Sequence, residues 1–174
     1  MGARLRASGV LLLSLLLAST ANATSFTLTA VIDGLQVPTA SLGTGTLMGT
    51  YNDVTNALTW SGSFSGLGSN TTAAHFHGPA APGVNAGIQV SMTGGSNVFP
   101  LAVTSGSFSG SATITDAQEA DLLANLWYTN IHTTVFPAGE IRGQVLAVPV
   151  PEPPVLGLLA LGLAGLVWTG RRRA

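Results

Sequence analysis

The chain contains only three histidines, His75, His77 and His132, and they are the residues best suited to carry chemistry. In His75-Phe76-His77 a strand sets both imidazoles on one face and turns Phe76 to the other. Such a pair chelates a transition metal, and His132 on a neighbouring strand completes a three-nitrogen set suited to copper or zinc, with an open position for water or substrate. Glu140 offers a further ligand or a partner behind one, and Tyr128 or Asn130 a group to orient a ring nitrogen. The same residues also support a structural reading. The imidazoles then hydrogen-bond the Gly78-Pro79 loop, and Glu140 and Arg142 form a cross-strand ionic network that fixes a hairpin register. Tyr128, Asn130, His132, Glu140 and Arg142 would then be a folding signature. Other chemistries find little support. There is no cysteine for a thiol nucleophile or a thiolate metal site, no serine stands in a recognisable nucleophile motif, and Glu140 lacks a second acid nearby. No catalytic residue is assigned, and the chain reads as a non-enzyme.

Residues 125–145, NLWYTNIHTTVFPAGEIRGQV, must position much of this set. Trp127, Thr129 and Ile131 alternate with Tyr128, Asn130 and His132, so a strand gathers the polar trio on one face. Phe136-Pro137-Ala138-Gly139 reads as a reversal, because proline fixes φ and glycine frees the closing residue. A second alternating run follows, with Glu140, Arg142 and Gln144 expected on one face. The segment predicts a β-hairpin.

Period-two alternation starts at Phe26, Leu28 and Ala30 and returns over 45–51, 57–64, 88–92 and 106–114. Short strands at this spacing, separated by Gly- and Asn-rich turns, predict an all-β sandwich or barrel. The hexamer Ser-Gly-Ser-Phe-Ser-Gly occurs at 61–66 and again at 105–110, through duplication or as convergent strand edges. One helix is expected over 116–125. Thr115 and Gln118 have capping-box spacing, Asp116 and Glu119 suit the positive end of a helix dipole, and Ala117, Ala120, Leu123 and Ala124 recur at helical intervals.

The whole chain has a formal charge of −1, but its arginines crowd the ends. Between 24 and 150 stand Asp33, Asp53, Asp116, Glu119, Asp121 and Glu140 against Arg142 alone, and lysine is absent. A domain so acidic lacks the footprint for a phosphate backbone, which excludes nucleic acid. Residues 1–23 combine Arg4 and Arg6, an apolar run and Ala21-Asn22-Ala23, predicting a signal peptide cut by signal peptidase before Thr24. At the other end, Val150-Pro151-Glu152-Pro153 precedes an apolar stretch over 155–168 and Arg171-Arg172-Arg173. The prolines hold an extended, accessible segment, the apolar stretch enters the inner membrane as a transmembrane helix, and the arginines keep the C-terminus cytoplasmic.

Two resemblances rest on these motifs. Ala74-His75-Phe76-His77-Gly78-Pro79-Ala80 with Gly83-Val84-Asn85-Ala86-Gly87, and Tyr128-x-Asn130-x-His132-Thr133 with Pro137-x-Gly139-Glu140-Ile141-Arg142-Gly143-Gln144, resemble the CHRD domain. That resemblance implies an immunoglobulin-like antiparallel β-sandwich, placed at 24–148, working outside the cytoplasm. Residues 149–174 look like a PEP-CTERM sorting signal, with its Pro-Glu-Pro box, hydrophobic segment and basic end. This second likeness implies processing near Pro151, Glu152 and Pro153 by an exosortase-type membrane enzyme, after transient anchoring in the envelope of a Gram-negative bacterium that makes exopolysaccharide. The expected role is a non-enzymatic matrix or surface component in contact with exopolysaccharide, with a mononuclear copper or zinc protein using His75, His77 and His132 as the alternative.

Overall fold

The computed structural model describes residues 25–151 and Leu159. The predicted signal peptide lies outside these residues, as do Glu152, Pro153, Arg171, Arg172, Arg173 and all of the apolar tail but Leu159. Among the described residues, no helix is long and apolar enough to cross a membrane.

Nine strands among the described residues form two antiparallel sheets. The first comprises β1 (Ser25–Ile32), β2 (Thr44–Asn52), β3 (Ala57–Ser65), β6 (Gly106–Thr113) and β9 (Leu146–Pro149), in the order β6-β3-β2-β1-β9. The second holds β4 (Thr71–His77), β5 (Ile88–Ser91), β7 (Tyr128–Thr133) and β8 (Ile141–Gln144), in the order β5-β4-β7-β8. The expected all-β sandwich is therefore the observed one. The run after β8 differs from expectation: it continues as β9 and pairs with β1, so one short excursion of chain crosses from sheet to sheet and ties them together.

Inward positions of both sheets make one core, including Leu28, Ile32, Leu47, Trp60, Phe76 and Ile131. Trp60 meets Phe76 across the sandwich edge-on, with ring centroids 5.2 Å apart, a geometry the aromatic quadrupole favours. Glycine makes room for the large rings. The two Ser-Gly-Ser-Phe-Ser-Gly hexamers lie on adjacent strands and pair with each other antiparallel, Gly62 opposite Phe108 and Phe64 opposite Gly106. Each phenylalanine thus covers the other hexamer's glycine, and Trp60 does the same over Gly110. A Cβ at Gly62 would run into the Thr46 carbonyl and the Phe108 ring, and one at Gly110 into the Asn97 side-chain amide and the Trp60 indole. The repeat is therefore matched to its own partner strand. Gly62→Ala or Gly110→Ala is expected to lower stability by about 1–3 kcal/mol through overpacking, read as a lower urea midpoint.

Helix α1 (Asp116–Leu123) has the expected capping box: the Thr115 hydroxyl accepts from the Gln118 amide while the Gln118 side chain accepts from the Thr115 amide. It ends earlier than the periodicity predicts, because Ala124 is the C-cap and Asn125 turns to φ +59°. Leu122 is its fully buried anchor.

The two outer faces differ in kind. Across the five-stranded sheet the outward residues are mostly threonine and serine, and none of its strands contains an acidic or basic residue. The outer face of the four-stranded sheet is roofed by two loops, residues 78–87 and 134–140. It is beneath this roof that the histidines sit.

Candidate metal centre

Strand pairing brings the three histidines together. In the β4–β7 register His75 lies opposite Asn130 and His77 opposite Tyr128, while His132 pairs with Ala73 one step further along. Residues 75, 77, 128, 130 and 132 share the outer face, because alternate positions of a strand do. Each histidine offers one ring nitrogen, and the three nitrogens lie within 4.8 Å of one another. Among the described residues no other group of metal-ligating side chains converges in this way.

Hydrogen bonds set the tautomers. His77 Nδ1 lies 3.0 Å from the Ala86 carbonyl and His132 Nδ1 lies 2.9 Å from the Pro137 carbonyl. A carbonyl only accepts, so both Nδ1 atoms carry the proton and both Nε2 atoms of the neutral rings present a lone pair. His132 Nε2 then accepts from His75 Nδ1 at 3.1 Å. His77 Nε2 is buried and has no partner. A buried acceptor without a donor costs about 1–3 kcal/mol. A metal ion would satisfy that nitrogen and use His132 Nε2 and His75 Nδ1 beside it, the His75 proton leaving or moving to Nε2. Carbonyl-anchored imidazoles of this kind recur behind bound metals. The donor set is three neutral nitrogens with neither thiolate nor carboxylate, which fits copper or zinc.

Electrostatics keep the rings neutral. Burial, then the neighbouring His132 and His77, hold the His75 pKa down to about 4. Burial also lowers the pKa of His77, helped by the Arg142 charge and opposed by the Ala86 carbonyl. His132 is lowered by burial and by His77, against the Pro137 carbonyl. Because the folded pKa of His75 is depressed, its contribution to stability is complete above the ordinary value of 6.5 and is lost as pH falls toward 4, where the unfolded chain binds a proton that the folded one refuses. The urea midpoint of metal-free protein is expected to drop across that window, with a shallower drop in His75→Asn. Equal slopes would contradict the assignment.

The other predicted residues take different places. Tyr128 stacks on His77 at 5.1 Å and 8° between rings, and its hydroxyl accepts from the Ala86 amide at 3.0 Å. The hydrogen-bond partners of the His77 and His132 Nδ1 atoms are the backbone carbonyls of Ala86 and Pro137, not Tyr128 or Asn130. Asn130 donates to the Ala138 carbonyl at 3.0 Å and packs against Gly139 (φ +120°), where any Cβ would strike its amide. Arg142 is buried, lies 3.7 Å over the Tyr128 ring, and donates to Asn85 Oδ1 and the Val84 carbonyl.

Glu140 departs furthest from expectation. It is neither in the histidine group nor bonded to Arg142. Its carboxylate accepts from Ser41 Oγ at 2.7 Å, the Gly68 amide at 2.6 Å and Thr133 Oγ1 at 2.8 Å. Thr133 alternates with His132, so Glu140 points to the interior side, away from Arg142 and Gln144. It precedes β8 rather than belonging to it, and the strand's alternation does not govern it. The anchors Asn85, Ala86 and Pro137 are the residues that sequence periodicity misses. The signals for them are the Gly83 to Gly87 motif for Asn85 and Ala86 and the Phe136 to Gly139 reversal for Pro137, which mark the loops but not their contacts.

Comparison with known proteins agrees with this architecture. The CHRD domain model matches residues 28–145, more than half the chain, and the PEP-CTERM protein-sorting motif matches 149–173. No curated protein and no solved structure matches. The sorting motif implies secretion, association with the bacterial cell envelope and processing by an exosortase-type enzyme. A two-sheet domain that contains the whole histidine cluster, followed by that motif, makes this chain a member of the CHRD domain family built as an exosortase-sorted surface protein.

Proposed function

We propose that this surface protein holds a single copper or zinc ion through His75, His77 and His132. The observation that carries the reading is the convergence of three imidazole nitrogens within 4.8 Å, two of the rings fixed by backbone carbonyls and one nitrogen, His77 Nε2, buried without a partner. Scattered core or surface histidines have no reason to share one tautomer-locked pocket. The depressed pKa values of all three rings support the same reading, since a ring that stays neutral stays a ligand. The role is metal binding or buffering at the cell surface. Elemental analysis of the full chain, produced without a histidine tag and dialysed against excess copper or zinc, tests it. About one equivalent per chain is expected, and a folded, metal-free protein would refute it.

A second reading has its own support. The outward face of the five-stranded sheet is a hydroxyl-rich, uncharged surface, with Thr46, Thr50, Thr59, Ser61, Ser63 and Ser109 among its exposed residues. Such a surface suits a non-enzymatic matrix component in contact with exopolysaccharide from a Gram-negative envelope. Retention on that polysaccharide by metal-free protein favours this role, and loss of retention with Ser61→Glu/Ser109→Glu would place the contact on that face.

A further inference from the structure

We infer that the Arg142–Tyr128 stack and the 78–87 loop form a brace that sets His77 for metal, with Tyr128, Asn85 and Arg142 as positioning residues that act through Ala86; this rests on the three-histidine reading above. His77 is the last residue of β4, and the pairing with β5 shifts register between Phe76 and His77. On the other side His77 pairs regularly with Tyr128 of β7, but backbone pairing does not set a ring's torsions, and the outer torsion of a histidine is intrinsically broad. Besides the rings of His75 and His132 on one side, the flat stack on Tyr128 and the bond to the Ala86 carbonyl hold it. Ala86 lies in a loop outside the named strands and must itself be held. Its amide is bonded to the Tyr128 hydroxyl, and the two residues before it are gripped by Arg142, through the Val84 carbonyl at 2.8 Å and Asn85 Oδ1 at 3.1 Å.

The strand order β4-β7-β8 puts His77 and Arg142 on opposite sides of Tyr128, so the three groups form one layered stack across three strands. The cost of this arrangement points to its purpose. Arg142 is 1% exposed, its charge meets neutral acceptors and an aromatic face, and its Nε has no partner. Where the task is only to fill space, apolar side chains generally do so at lower cost than a buried charge. What a guanidinium adds is a rigid fork that fixes loop carbonyl and amide groups in place. The parts it fixes lead through Ala86 to the ligand whose Nε2 lacks a partner. Groups that orient a ligand in this way are worth about 10–100-fold in metal affinity.

The test compares zinc affinity, by competition with a chromophoric chelator, with the thermal midpoint of the metal-free protein, using the full chain. Tyr128→Phe keeps the ring and deletes the hydroxyl that holds Ala86. Asn85→Ala cuts one anchor of Arg142 at an exposed loop position. Both are expected to weaken zinc binding at least tenfold in protein that remains folded at the assay temperature. Affinities within twofold of wild type in both variants, whatever happens to their midpoints, would overturn the brace and leave the metal site standing. A wild-type chain that takes up no zinc and no copper would overturn both.

Discussion

His132→Ala is expected to abolish stoichiometric metal uptake while leaving a folded sandwich. His132 supplies Nε2 3.1 Å from His75 Nδ1, and it alone of the three lies on β7. Removing it leaves a His-x-His pair on a single strand. Loss of a direct ligand should exceed the 10–100-fold expected for a residue that only orients one, which sets a floor of about 100-fold, or about 2.7 kcal/mol of binding free energy. The structural cost is smaller. His132 is half-buried, and its bonds are to one loop carbonyl and one imidazole, so the midpoint of the metal-free protein should move by no more than a few degrees. Chelator competition and a thermal melt on the same preparation check both halves. A variant that still retains one equivalent would remove β7 from the site.

How much of this arrangement the sequence discloses depends on whether a residue lies within a regular element. His75 and His77 fall inside β4, and Tyr128, Asn130 and His132 inside β7, so the period of two by itself is enough to put each set on one face of its strand. The helix start is legible for a similar reason, since capping chemistry is local in sequence. Contacts that close over long separations are not. Asn85 meets Arg142 across 57 residues and Ser41 meets Glu140 across 99, and no periodicity encodes which loop folds over which face. The hexamer repeat shows the difference within one motif. Its occurrence is plain in the sequence, but only the register shows that each copy's glycine accommodates the other copy's phenylalanine. The roof over the histidines is likewise tertiary. An outer sheet face rich in Tyr, Asn, His and Arg reads as solvated, yet Tyr128, Asn130 and Arg142 are all buried beneath loops.

Glu140→Ala is expected to cost more stability than any other substitution considered, about 3–5 kcal/mol. Glu140 is fully buried, and its carboxylate gathers donors from three separate segments: Ser41 from the β1–β2 connection, Gly68 from the β3–β4 connection and Thr133 from the end of β7. Its backbone adds to the junction, the carbonyl accepting from Thr39 Oγ1 at 2.8 Å and the amide donating to the Ile131 carbonyl. Truncation strands the Gly68 amide and two hydroxyls in a cavity at this crossing. A surface carboxylate would give a fraction of that loss. Glu140→Gln separates charge from shape, because its carboxamide fills the space but turns an NH2 toward at least one donor. It should recover part of the stability while remaining clearly below wild type. Equilibrium urea denaturation of the two variants measures this directly. The histidine pocket supplies the control: Glu140 faces the interior side and has no bond to a cluster residue, so Glu140→Gln should bind metal as wild type does at temperatures where it is folded. If Glu140→Gln instead lost metal at full stability, the carboxylate would belong to the centre after all, as its place in the sequence suggests.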